Sequence, residues 1–194
     1  RVLRDQLGEK LAKLAGTEIG DRNTFRESVT IHSATGDGEV TRVGSDNHIL
    51  AYCHLAHNVT VGHRVIMSNV ATLAGHVTVE DHAVIGGLVA IHQFCRVGKM
   101  AMIGGCSKVV QDVPPFMIAD GNAARTVTVN KVGLERNGVS EAAQIALRQA
   151  YKILFRAGLT IPNALEQIEK ELPPLLELAY LVNFVRTSER GVGK

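Results

Sequence analysis

From Ile19 to Val109 an apolar side chain returns at every sixth position: Ile19, Phe25, Ile31, Val43, Ile49, Leu55, Val61, Met67, Leu73, Val79, Ile85, Ile91, Val97, Ile103 and Val109, with Asp37 the only polar step. Two residues before most steps sits a small or β-branched residue, as at Val59, Val65, Ala71, Val77, Ala83, Val89, Cys95 and Ala101. A helical period of 3.6 does not keep such a phase. A coil of repeated six-residue units does, each unit being one short strand plus a corner. Three units close a triangular coil of eighteen residues. The step residue then points inward and meets its equivalent on the next coil, about 4.8 Å away. Each inward Ile, Val or Leu contributes roughly 1.5–3 kcal/mol by burial, so the core is a sum with no single decisive member. The chain has 19 glycines, and Gly20, Gly44, Gly62, Gly86, Gly98 and Gly104 directly follow a step. They fit corners that need either a positive φ or close approach of two backbones.

Such hexads resemble those of the left-handed parallel β-helix; the hand follows from that resemblance, because a period alone does not set it. The fold expected is therefore mainly β, with helical flanks. Residues 1–16 place Leu3, Leu7, Leu11 and Leu14 on one face and end in Gly16, which predicts a short amphipathic helix capping the prism. Residues 33–42 are polar around Asp37 and are expected to loop out of the coil. The β-helix is expected over residues 17–119 and a helical domain over 120–194. Ser140 is a natural N-cap for a helix ending near Gly158. A second helix starts near Thr160–Pro162 and stops at Pro173–Pro174, and a third ends near Thr187.

The totals exclude some partners. A net charge of +2 without a basic, aromatic stripe gives no footprint for nucleic acid. Three cysteines in no CxxC pattern read as reduced thiols of a cytoplasmic protein. No apolar run is as long as a membrane span. The chain begins at Arg1 rather than Met, as a piece of a longer protein would.

Four of the eight histidines fall between Cys53 and His76. Stacking by eighteen puts His57, Gly75 and Gln93 at equivalent positions on successive coils, with His76 one residue beyond Gly75. His54 and His92 adjoin the same region, over a glycine that leaves room for a ligand. His63 and His82 belong to other faces. Three readings fit: solvated surface histidines, a zinc site, or an imidazole acting as general base near its ordinary pKa of about 6.5. The zinc reading lacks an HxxxxH pair and a carboxylate to orient the ligands.

The segments "HLAHN", "LAGHVTVEDHAVIGG", "VAIHQFCRVG", "QDVPPFMIADGN", "GLERNG" and the terminal "SERG" resemble the signature segments of the acyl-carrier-protein–UDP-N-acetylglucosamine O-acyltransferase family, hexapeptide-repeat enzymes of lipid A synthesis. The resemblance runs from about Thr17 to Gly191. It implies a homotrimer with active sites between subunits, no metal and no cofactor. The acyl donor is acyl carrier protein with its phosphopantetheine, and the acceptor is UDP-N-acetylglucosamine. His57 matches the catalytic base, and the Gly75 N–H matches the oxyanion donor. Direct attack on the thioester is implied, with no covalent intermediate on Cys53. His32, His54, His76, His92 and Gln93 match substrate-positioning residues, and Asn130 and Arg136 match the nucleotide region. Gly105 falls where the family measures acyl-chain length.

Three departures accompany the match. The residue after the base is commonly Asp in the family and is Asn58 here, an amide that orients the ring but brings no charge. Asn137 replaces a second arginine. Residues 1–16 do not reproduce the "QDLKY"-like segment, and the chain reads as lacking the family's N-terminal coils. Two alternatives follow: a trimeric scaffold with an incomplete sugar pocket, and the related lipid A N-acyltransferase, which shares the repeat and a catalytic histidine. Arg148, Lys152 and Arg156 form a stripe on the first tail helix that either meets acidic acyl carrier protein or is a solvated face.

Overall fold

Most hexads fold as a two-residue strand and a corner, and the strands stack into three parallel sheets that form the faces of a prism. The computed structural model describes residues 16–194, so the helix expected over residues 1–16 lies outside the described residues except for Gly16, which opens a strand. The first face stacks Gly16–Ile19, Val40–Val43, Thr60–Val61, Thr78–Val79 and Arg96–Val97. The second stacks Thr24–Phe25, His48–Ile49, Ile66–Met67, Val84–Ile85 and Met102–Ile103. The third stacks Thr30–Ile31, His54–Leu55, Thr72–Leu73, Ala90–Ile91 and Lys108–Val109. Pairing such as Val79↔Val97 keeps the eighteen-residue register. Ile19↔Val43 and Ile31↔Leu55 are one hexad longer, because the chain leaves the coil around Asp37; the excursion is shorter than the 33–42 expected, since Val40–Val43 is a strand of the first face.

The inward columns form the core. Ile49, Leu55, Met67, Leu73, Ile85 and Ile103 are fully buried, as are Val59, Val65, Ala71 and Val77 two positions before a step. Asn47 takes one of those inner positions. Its Nδ2 donates to Gly62 O at 3.0 Å and its Oδ1 accepts from Val65 N–H at 2.7 Å, so the buried amide is satisfied.

The glycines resolve differently from one of the two expectations. Corner residues with positive φ recur every six positions from Tyr52 to Cys106, at 54° to 65°, and none of them is glycine. The glycines after the steps answer to close approach instead. A Cβ on Gly44 would lie 2.3 Å from Gly62 O, and one on Gly98 would lie 2.4 Å from Pro115 N.

The strand region also runs further than residue 119. The second face continues into an antiparallel hairpin, Met117–Gly121 and Ala124–Val129, so helices begin about ten residues later than the period indicated. Four helices follow: α1 Lys131–Arg136, α2 Glu141–Phe155, α3 Ile161–Glu171 and α4 Leu176–Arg186. Ser140 caps α2 by accepting from Ala143 N–H, as expected. Helix α1 is too short to show a helical period. The tail has its own core of Leu134, Leu147, Leu154, Ile168 and Leu181, which Phe116 and Met117 join to the prism.

Polar contacts clip the tail down. The Arg96 guanidinium lies 4.0 Å over the Phe184 ring and donates to Thr187 O and Oγ1. The Tyr180 hydroxyl donates to Glu80 at 2.9 Å, and burial with that carboxylate pushes the phenol up to about 12. Buried Asp112 accepts from Arg96 N–H and from the Ser188 hydroxyl.

Candidate functional site

The edge where the third face turns into the first carries the chemistry. Its corner column is Asn58, His76 and Phe94, each with positive φ. His57 O accepts from His76 N–H, and Gly75 O accepts from Phe94 N–H, so the corners are locked one above the other. The pairing Leu55↔Leu73↔Ile91 carries His57, Gly75 and Gln93 into the expected column.

His57 and His76 come together, their ring centroids 5.2 Å apart and nearly perpendicular. His76 in turn stacks on Phe94 at 4.7 Å, an apolar partner that no polar pattern in the sequence marks. The space above Gly75 belongs to His57 rather than to a ligand: a Cβ there would lie 2.6 Å from His57 Cε1 and 2.7 Å from Nε2. Glycine at 75 is what allows the imidazole to lie against the next coil. Among the described residues the Gly75 N–H has no acceptor.

Behind the ring stands a second group of contacts. His57 Nδ1 lies 2.9 Å from Asn58 Oδ1, and Asn58 Nδ2 donates to Glu39 Oε2 at 2.6 Å. Asn58 Oδ1 also accepts from the Thr35 N–H and hydroxyl, each at 3.2 Å. Thr35 and Glu39 belong to the segment that leaves the coil. The only sign of them in the sequence was the break in the ladder at Asp37.

His32 and His54 form a second pair on the third face, with ring centroids 4.6 Å apart. The Thr30 hydroxyl sits 2.8 Å from His54 Nδ1. Burial, and then the neighbouring His32, hold the His54 pKa below the ordinary imidazole value. Exposed His92 donates from Nδ1 to Gln93 O at 3.2 Å. The remaining candidates fall on other edges. Gly105 adjoins the edge between the second and third faces, and a Cβ on it would meet Gly87 O at 3.3 Å. Asn130 is buried as the N-cap of α1, accepting from Gly133 N–H and donating to Met100 O. Met100 lies on the edge between the first and second faces, in the column of Arg64 and His82. Arg136, the last residue of α1, is exposed.

The thiols sit apart from this chemistry. Cys53 is buried with its thiol donating to Ser68 O, and burial raises its pKa; burial takes Cys95 to about 11. Among the described residues no three His, Cys, Asp or Glu side chains converge to hold a metal ion. No helix among them is long and apolar enough to cross a membrane.

The chain is similar to proteins already known. Residues 112–193 match the family described as UDP-N-acetylglucosamine O-acyltransferase, domain 2. The chain is 49% identical over 175 residues to the acyl-[acyl-carrier-protein]–UDP-N-acetylglucosamine O-acyltransferase of Aliivibrio fischeri strain MJ11, covering 90% of this chain and 67% of that protein. The UDP-N-acetylglucosamine acyltransferase from Campylobacter jejuni superposes with a TM-score of 0.86 at 39% identity, over 92% of this chain and 70% of that one. The Arabidopsis enzyme of the same description gives a TM-score of 0.89 at 35% identity, over 93% and 66%.

Proposed function

Because the chain belongs to the UDP-N-acetylglucosamine O-acyltransferase family, we propose that it transfers a 3-hydroxyacyl chain from acyl carrier protein to the 3-hydroxyl of UDP-N-acetylglucosamine, the first step of lipid A synthesis. His57 removes the hydroxyl proton through Nε2 as the sugar oxygen attacks the thioester carbon. The tetrahedral oxyanion takes a hydrogen bond from the Gly75 N–H, which stabilises charge present only in the transition state. Collapse expels the phosphopantetheine thiolate, which recovers the proton from the imidazolium. The observation that carries this reading is one half-buried imidazole packed against Gly75, whose main-chain N–H has no acceptor among the described residues.

The other residues divide by position. His32, His54, His76, His92 and Gln93 line the third face and its edge and orient the substrates. Asn130 secures α1, whose last residue, Arg136, offers a guanidinium suited to a diphosphate. Gly105 leaves the acyl groove open. The chain works as a homotrimer in the cytoplasm and needs no cofactor of its own. The trimer draws support from two features. Asn130 is bonded to an edge other than that of His57, so one copy's α1 completes another's site. A ridge of Tyr52, Val70 and Leu88 stands exposed on the remaining edge. Arg148 and Lys152 present exposed charge to acidic acyl carrier protein, while Arg156 is held by Tyr151.

His57→Ala tests the base. Transfer should fall by about 10²–10⁴-fold while sedimentation still reports the trimer; unchanged turnover refutes the assignment. Calorimetric titration with the acylated sugar nucleotide should give binding that Arg136→Ala loses. Absence of binding by an intact trimer would make the chain a scaffold.

A further inference from the structure

The contacts behind His57 end on a carboxylate, and their donor and acceptor roles are forced. We propose that Glu39 is a positioning residue for His57, acting through Asn58 to place the ring's proton on Nδ1 and its lone pair on Nε2. This rests on the reading of His57 as the base.

The inference starts from the Asn58 amide, whose two ends look alike but have opposite roles. One end faces the Thr35 backbone N–H at 3.2 Å, which can only donate; the other faces Glu39 Oε2 at 2.6 Å, which as a carboxylate can only accept. The reversed amide would set donor against donor and acceptor against acceptor, so Oδ1 must face Thr35 and Nδ2 must face Glu39. Oδ1 is also the atom 2.9 Å from His57 Nδ1. An amide oxygen cannot donate, so Nδ1 must. In the neutral ring the lone pair then sits on Nε2, the nitrogen lying against Gly75.

Glu39 is itself held for this task. Its Oε2 accepts from Gly36 N–H at 3.1 Å, and its own N–H donates to Gly36 O at 3.0 Å, so the excursion from the coil closes on the carboxylate it delivers. Among the described residues Glu39 forms no ion pair. Its negative charge is therefore directed at the amide rather than neutralised by a cation, and it offsets the positive charge that appears on the ring during proton transfer. Asn58 thus has a charge behind it, although it carries none.

Four variants test this: Glu39→Ala, Glu39→Gln, Asn58→Asp and the exchange Glu39→Gln with Asn58→Asp. The readouts are kcat, KM and the imidazole nitrogen-15 shifts that report the tautomer of His57. Glu39→Ala should lower kcat by roughly tenfold to a hundredfold, leave KM within about twofold and mix the two tautomers. Glu39→Gln keeps an oxygen for Gly36 and Asn58 but removes the charge, and should retain the tautomer with a kcat loss of about threefold. Asn58→Asp sets two carboxylates in contact and should be impaired. Combining it with Glu39→Gln restores one donor and one charge while giving up the Gly36 N–H contact, and kcat should recover to within about tenfold of the parent. A carboxylate that merely ties the loop would give losses that add in the exchange variant, and that result overturns the proposal. Parental kcat and tautomer in Glu39→Ala overturn it as well. If His57→Ala keeps full turnover, the base assignment fails instead, whatever the Glu39 variants do.

Discussion

Two edges of the prism share one backbone and differ in most of what is attached to it. Along one run Asn58, His76 and Phe94; along the next run Tyr52, Val70, Leu88 and Cys106. Both columns adopt positive φ, and both are held by the same inter-coil bond, from His76 N–H to His57 O in one and from Leu88 N–H to Asn69 O in the other. Yet one edge gathers imidazoles around a glycine, while the other leaves Tyr52 63% and Leu88 60% exposed. Inward positions have no such freedom, because each must fill the column above and below it. The repeat fixes where a corner side chain stands and leaves its chemistry open. An apolar corner that the fold does not need calls for another surface to cover it, which the proposed trimer would supply.

Changes on the two edges should therefore fail in different ways. Leu88→Glu carries the largest effect: a charge on the apolar ridge should weaken association by more than about a hundredfold and abolish transfer, with monomer seen by sedimentation. A trimer that survives it would remove the ridge from the interface. Gly75→Ala comes next. Its Cβ displaces the His57 ring, and kcat should drop by roughly tenfold to a hundredfold with the assembly intact. Turnover at the parental level would mean that the ring's seat is not needed. Asn47→Ala probes the interior against both edges. It strips the buried Val65 N–H of its acceptor and should cost about 1–3 kcal/mol in denaturant titration, with activity per folded molecule unchanged. Smallest is Arg64→Asn on the third edge. Arg64 holds a φ of 55°, and asparagine tolerates that region better, so stability should rise by about 0.5–1 kcal/mol. A loss would show that the Arg64 side chain has a role of its own.

What the sequence disclosed follows the same division. The inward ladder was legible because burial admits few residue types, and Leu55, Leu73 and Ile91 stack as the period required. From that register came the meeting of His57 with His76. The hairpin from Met117 to Val129 and helix α1 were not legible, since both begin where the hexad stops and neither is long enough to set a new period. The contact of Glu39 with Asn58 was hidden for a deeper reason. A segment outside the coil has no register, so nothing in its order says which corner it returns to.

The hairpin that finishes the second face has a consequence for how the molecule ends. A column of parallel rungs is a template for its own extension, and another molecule set on top could continue it into a fibre. Here the last strand, Ala124–Val129, runs against the others and passes straight into helices that cover the terminal rung. Reversing the chain's direction acts as a stop on growth at this end of the column.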